Sequence, residues 1–200
     1  MVIRGYSLMT TWNETDFVAG DVVLDFLNTV GDHDKQRAIE KLTCWKDALD
    51  WAARAGVVDA AEAGQLAATS GQSLALALLR EFREAAFGLL SAFIKGVEPP
   101  SDAKRAVEAS VHDAMDVTTM GSTGRQLAWD VAPEHQGPDL IRHRLALRLF
   151  HLTASPQMSK IKECKRCTWL FIDHGRGNGR VWCKMAGCGN RAKMERFRAT

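Results

Sequence analysis

The sequence predicts a mainly α fold with small β-hairpins, an α+β chain that ends in a compact cysteine-bound module. Three observations carry this. They are a helical apolar period sustained from Ser73 to about Lys95, two β-hairpin signals, and four cysteines crowded between positions 164 and 188. Of 200 residues, 46% are hydrophobic and 25% charged, which excludes wholesale disorder. No run approaches the roughly 18 apolar residues that a membrane helix needs. The opening Met1-Val2-Ile3-Arg4-Gly5-Tyr6 lacks the apolar run of a signal peptide. The expectation is a cytoplasmic protein with no membrane partner.

In chain order, residues 17–27 (Phe17-Val18-Ala19-Gly20-Asp21 followed by Val22 to Leu27) are rich in β-branched and apolar side chains and read as a strand with a Gly-Asp turn inside it. Asp25 and Asn28 are polar interruptions there. They are candidates to line a ligand pocket, set against the plainer role of satisfying backbone groups at a strand end. From Thr43, a plausible N-cap, Trp45, Ala48, Leu49 and Ala52 follow at helical spacing up to Gly56. Asp59 caps a second helix through Ala67, closed by Gly71. The long run from Ser73 carries Ala75, Leu78, Leu79, Phe82, Ala86, Leu89, Leu90 and Phe93 as a broad core-facing stripe, with Arg80 and Glu84 as an i,i+4 pair on the polar side. Gly96 and Pro99-Pro100 end it.

Another helix runs from Ser101 to about Ala114. Val117–Met120 and Arg125–Val131 then flank a Gly-Ser-Thr-Gly link and read as a β-hairpin. Asp139 caps a last helix through Ala154. Its Ile141, Leu145, Leu149 and Leu152 point one way, and Arg144, Arg148 and His151 form a separate stripe that reads as a solvated face. Pro156 separates this body, residues 1–155, from a module of residues 156–200 that the short boundary docks rather than tethers.

The module has the pattern Cys164-x2-Cys167-x15-Cys183-x4-Cys188, with Cys44 standing apart as a small core residue. Clustered cysteines without a secretion signal point to a metal rather than disulfides, with reduced thiols or a redox pair as the alternatives. Four thiolates are the tetrahedral soft-ligand set of structural zinc and leave no open position for catalysis. Between the pairs, Trp169-Leu170-Phe171-Ile172 reads as a strand, Asn178-Gly179 as a hairpin turn and Arg180-Val181-Trp182 as the return strand. A helix follows from Ala192 to Phe197. Knuckle, hairpin, knuckle and helix make a treble-clef-like zinc finger. The glycines at 175, 177 and 179 are followed by a strand, not a helix, so a dinucleotide loop is excluded.

Charge divides the same way. Residues 159–200 hold eleven basic residues against three acidic ones, a net +8, whereas the rest of the chain carries −6. Zinc with four thiolates lowers the tail to about +6, still suited to phosphates. The nucleic-acid candidates are Arg176, Arg180, Lys184, Lys193, Arg196 and Arg198. Asp173 and Arg191 flank the ligands, and a bidentate pair between them is expected to orient the finger.

The segment from Trp182 to Lys193, which contains Cys188-Gly189-Asn190-Arg191, together with Trp169-Leu170-Phe171-Ile172-Asp173, resembles the CGNR zinc-finger family. Leu24-Asp25-Phe26-Leu27-Asn28-Thr29 resembles the ABATE domain that accompanies that finger. The resemblance spans nearly the whole chain. It implies a bacterial protein with a mostly helical N-terminal domain, a zinc finger, and a proposed role in stress-linked transcription regulation. Two departures are the two-residue spacer between Cys164 and Cys167, where many members have a longer one, and Gly175, which stands where the family pattern suggests a serine.

Two functions follow as expectations. The first is a DNA-binding regulator whose body senses a small-molecule effector or forms a homodimer. The second is a zinc-dependent protein-interaction adaptor without direct nucleic-acid binding. With no paired carboxylates, nucleophile motif or open metal site, an enzyme is not expected.

Overall fold

The computed structural model describes residues 10–31, 35–123, 126–175 and 179–198. The helices are α1 (Val22–Leu27), α2 (Trp45–Arg54), α3 (Ala60–Ala68), α4 (Gln72–Lys95), α5 (Ser101–Asp116), α6 (Leu140–Thr153) and α7 (Asn190–Arg198). Three antiparallel strand pairs accompany them: β1 (Val30–Gly31) with β2 (Ile39–Glu40), β3 (Thr118–Thr123) with β4 (Gln126–Val131), and β5 (Ile161–Glu163) with β6 (Leu170–Ile172). The fold is thus mainly helical with small two-stranded sheets, as the periodicity predicts.

Helix α4 is the central element. It packs against α1, α2, α5, α6 and β5, burying Ala75, Leu79, Phe82, Ala86 and Leu90 of the expected stripe. Phe93, expected on that stripe, is 57% exposed, whereas Ala92 beside it is buried. Gly96 closes the helix at φ +66°, where a side chain would be strained. Arg80 and Glu84 do not pair. Arg80 donates to the Leu42 carbonyl, and Glu84 is held by Arg37 and Arg83. The tertiary partners outcompete a weak surface pair in its less favourable orientation.

The expected strand over 17–27 is a correction. Residues 22–27 form α1, because Asp21, in extended backbone, accepts the Val23 amide at 2.8 Å and caps a helix there. Val23, Leu24, Phe26 and Leu27 are all fully buried. A short run with no exposed face carries no period, so burial against α4, α6 and β6 decides the conformation. Helix α2 begins at Trp45, one residue later than a Thr43 cap implies. The fully buried Asp47 carboxylate accepts the amides of Thr10, Thr43 and Cys44 and so fixes that entry. Asp59 and Glu62 form a capping box at the start of α3. Asp139 makes no capping bond and pairs with Arg142 instead.

The expected hairpin forms, with Met120 opposite Trp129, but β3 continues through Gly121, Ser122 and Thr123, which the sequence pattern assigns to the link. A second correction concerns the cysteine module. Strand β6 pairs with β5, which lies before the first knuckle, and residues 180–182 form no return strand. What remains of that expectation is one bond, from the Lys165 amide to the Val181 carbonyl. Trp169, Leu170, Phe171 and Ile172 join the same continuous core as Phe26 and Trp51.

Candidate metal centre

The site begins with a short ladder. Beyond β5 the Cys164 amide donates to the Trp169 carbonyl at 2.9 Å, closing the first knuckle around Cys167. The second knuckle is a single π-helical turn, Met185–Gly189, which runs straight into α7. A Cβ at Gly189 would meet the sulfur of the exposed Met185 side chain and crowd Trp182, so a larger residue there would have to displace Met185.

These turns bring the Cys164, Cys167, Cys183 and Cys188 sulfurs within 4.8 Å of one another. Cys167, Cys183 and Cys188 are separated by 3.5–3.6 Å. A tetrahedron with metal–sulfur bonds of about 2.3 Å has edges of about 3.8 Å, so the sulfurs stand at the spacing of a four-coordinate metal site. Hydrogen bonding to Cys164, then burial, pushes the Cys167 and Cys183 thiols upward. Four thiolates this close do not coexist without a cation at their centre, and four soft donors leave no position for substrate. Three of the sulfurs belong to buried residues, with Cys188 at the rim. Cys44 lies elsewhere, at the start of α2.

The finger is clamped to the helical body through backbone groups. Asn28 is 3% exposed, and its side chain donates to the Leu170 carbonyl at 2.8 Å while accepting the Leu170 amide at 2.9 Å, as a neighbouring strand would. The Ile172 amide donates to the Ala19 carbonyl at 2.7 Å, and the Trp169 indole donates to the Val30 carbonyl at 2.9 Å. Asp25 accepts the Ala19 amide at 2.9 Å, holding the loop whose carbonyl receives Ile172. Asp25 and Asn28 thus have the plainer role, with their polar groups bonded to backbone. They join the two parts of the chain.

Burial pushes the Asp25 carboxyl up to about 6. A raised folded-state value means that the proton is held more tightly in the native state than in the unfolded one. Its contribution to stability is full below about pH 4 and is lost as pH rises through about 6. Asp25→Asn keeps the oxygen that accepts the Ala19 amide and removes the buried charge. It is therefore expected to match the parent below about pH 4 and to exceed it by up to about 3 kcal/mol at neutral pH. Urea unfolding of both proteins across that range checks this, and a difference that does not change with pH contradicts it.

The basic candidates fall into three groups. Arg180 points inward, donating to the carbonyls of Trp182, Val18 and Cys183 and lying over the Phe171 ring at 4.4 Å. Lys184 donates to the Thr15 carbonyl at 2.9 Å and lies over the Trp169 ring at 4.8 Å. Both tie the finger to the body. Arg176 lies outside the described residues. Lys193, Arg196 and Arg198 are exposed on α7, and so is Arg191. The Asp173–Arg191 pair does not form. Asp173 is occupied by Lys162 at 2.6 Å and by the amides of Gly175 and Arg180 at 2.9 and 3.0 Å, which hold its carboxyl well below the usual range. Lys162 sits on β5, cross-strand from β6, and finding it as the partner required knowing that pairing. Gly179 turns there at φ +72° with Asp173 and Lys162 packed against it, so a side chain would not fit.

Helix α7 buries none of its residues. It is held by continuity with the second knuckle and by Arg166, which lies between the first two cysteines and pairs with Glu195 at 2.8 Å. That pair neutralises the acidic residue of α7. Arg191, Lys193 and Arg198 make no ion pair among the described residues.

Residues 160–200 match the family model described as CGNR zinc finger. Residues 20–156 match the one described as ABATE, "putative stress-induced transcription regulator". No curated protein matches the chain. Among the described residues, no helix is long and apolar enough to cross a membrane.

Proposed function

The chain belongs to the ABATE family and ends in a CGNR zinc finger, and from that membership we propose that it is a transcription regulator that binds duplex DNA through α7. The observation that carries this is a helix with no buried residue, rooted in the metal site and bearing Arg191, Lys193, Arg196 and Arg198. A basic helix this polar is not stable by itself in water, so its anchorage marks it as a surface made for a partner. Zinc is the metal that the four thiolates and their spacing fit best. Its part is to hold the second knuckle, and so to give α7 a fixed start. In this reading residues 1–155 and the finger of 156–200 work as one unit, in the cytoplasm of a bacterium responding to stress.

Phosphate contacts position a protein without reading bases. Replacing Lys193 and Arg198 by glutamine is expected to weaken binding to all duplexes alike and to reduce the log–log salt slope by about one unit per residue. Lys184→Gln is expected to lower stability and leave the slope unchanged, because its ammonium is held at Thr15 and Trp169. Titration of labelled duplex DNA with metal-loaded protein at several salt concentrations measures both. Absence of binding at low salt would overturn the reading. Exposed Met194 and Phe197 on the same helix, the latter 85% accessible, favour the adaptor as the second reading. It predicts binding to a protein partner that depends on Phe197, with negligible DNA affinity at physiological salt.

A further inference from the structure

The four cysteines of the metal centre are not equally protected. Cys164, Cys167 and Cys183 belong to the continuous core and are at most 4% exposed, whereas Cys188 packs against its edge and is only half-buried. The difference is built into the turn that carries it, Met185–Gly189, whose one buried residue is Gly189. A cleft of about 240 Å³ opens over this rim. It is lined by Cys167, Cys183 and Cys188 but not by Cys164. Lys41 of the body and Lys184 and Arg191 of the finger line it too, and no carboxylate does. A small solute in the cleft therefore meets sulfur, and meets Cys188 most openly.

A bound metal keeps all four sulfurs as thiolates, so among them exposure decides which is oxidised first. We infer that Cys188 is an oxidation site: a peroxide oxidises it first, and it then closes a disulfide with Cys183 that releases the metal. The Cys188 thiolate attacks a peroxide oxygen, the O–O bond breaks, hydroxide leaves, and Cys188 carries a sulfenic acid. The Cys183 thiolate, 3.5 Å away, then attacks the Cys188 sulfur, the S–O bond breaks, and a second hydroxide leaves. The two thiolates give up two electrons in all, and these reduce the peroxide to the two hydroxides. Both anions leave into a cleft walled by cations. Cys167 stands almost as near, at 3.6 Å, but it is held at the first knuckle. Only four residues separate Cys183 from Cys188, so this pair stays together once coordination loosens. The two thiolates left over no longer form a closed four-ligand set, and α7 loses its fixed start.

This goes beyond the DNA reading, and only its consequence, weaker binding to DNA, rests on that reading. Treatment of the full zinc-loaded chain with hydrogen peroxide tests it. Released zinc is followed with a chromogenic chelator, and the cysteines are mapped by mass spectrometry after trapping with dimedone and iodoacetamide. Dimedone is expected on Cys188 first, and Cys183–Cys188 is expected as the first disulfide, with one zinc released for each. Dithiothreitol with added zinc is expected to restore the loaded protein. Cys188→His keeps a four-ligand site, since three thiolates and an imidazole also hold zinc. It is expected to release zinc under peroxide at least about tenfold more slowly than the parent. Should that variant fail to load zinc, the mapping on the parent decides. A first disulfide between any other pair, dimedone spread evenly over the four cysteines, or zinc release from loaded Cys188→His at the parent's rate would each overturn the proposal. Oxidation that follows this course in a protein that binds no DNA at low salt would overturn the DNA reading alone.

Discussion

Removal of the metal, by chelation or by Cys183→Ser, is expected to lower the melting temperature of the whole chain by at least about 10 °C in a single transition. Metal binding to four thiolates contributes on the order of 10 kcal/mol to the fold of a small finger. The net stability of a domain is about 5–15 kcal/mol, and each lost kcal/mol lowers the melting temperature of a chain this size by about 2–4 °C. The loss does not stay local. Trp169 to Ile172 lie between the ligand pairs and are also part of the core that contains Phe26 and Trp51. Loosening the knuckles frees β6, and β6 covers α1. Helix α7 is expected to melt in the same step, since it has no buried face of its own. Scanning calorimetry with and without chelator measures the first effect, and hydrogen exchange at residues 190–198 the second. Two well-separated transitions, one of them unmoved by the chelator, would show that finger and body are energetically independent.

The metal centre was legible because ligand chemistry is local. Two cysteine pairs at knuckle spacing report the donors, the count and the closed coordination without reference to anything distant. The long helices were legible for a similar reason: α4 and α5 each keep one apolar stripe over several turns. What failed was non-local. The strand signal at Leu170–Ile172 was sound, but an Asn-Gly turn pointed forward to residues 180–182, whereas the partner lies behind the first knuckle at Ile161–Glu163. Residues 23–27 are all buried, Asp25 included, so period could not separate helix from strand. Charge sign was legible, but the direction of a side chain was not. Arg180 and Lys193 look alike in a sequence, yet one turns in to three carbonyls and the other stands in solvent. Asp25 and Asn28 stand out in the sequence as polar residues, but their partners do not. The group that answers Asn28 is 142 positions away, which local pattern cannot supply.

Asn28→Ala is therefore expected to be among the most damaging substitutions outside the cysteines. The side chain touches no metal ligand, and its two bonds both go to one residue, the carbonyl and the amide of Leu170. Leu170 is fully buried, so alanine leaves a buried donor and a buried acceptor without partners, at about 1–3 kcal/mol each. The expected loss is about 2–5 kcal/mol, which corresponds to a melting temperature lower by about 5–15 °C. Asn28→Asp separates the two bonds. A carboxylate still accepts the Leu170 amide, but it faces the Leu170 carbonyl with no proton, so at neutral pH this variant is expected to be at least as unstable as the alanine one. Acidification is expected to narrow its deficit, because a protonated carboxyl donates as the amide does. Metal content measured on both folded variants is expected to match the parent, since the four cysteines are untouched. That result distinguishes loss of the clamp from loss of the finger. A melting temperature for Asn28→Ala within about 1 °C of the parent would mean that water or a shifted strand satisfies Leu170, and that the finger does not depend on the body for its seat.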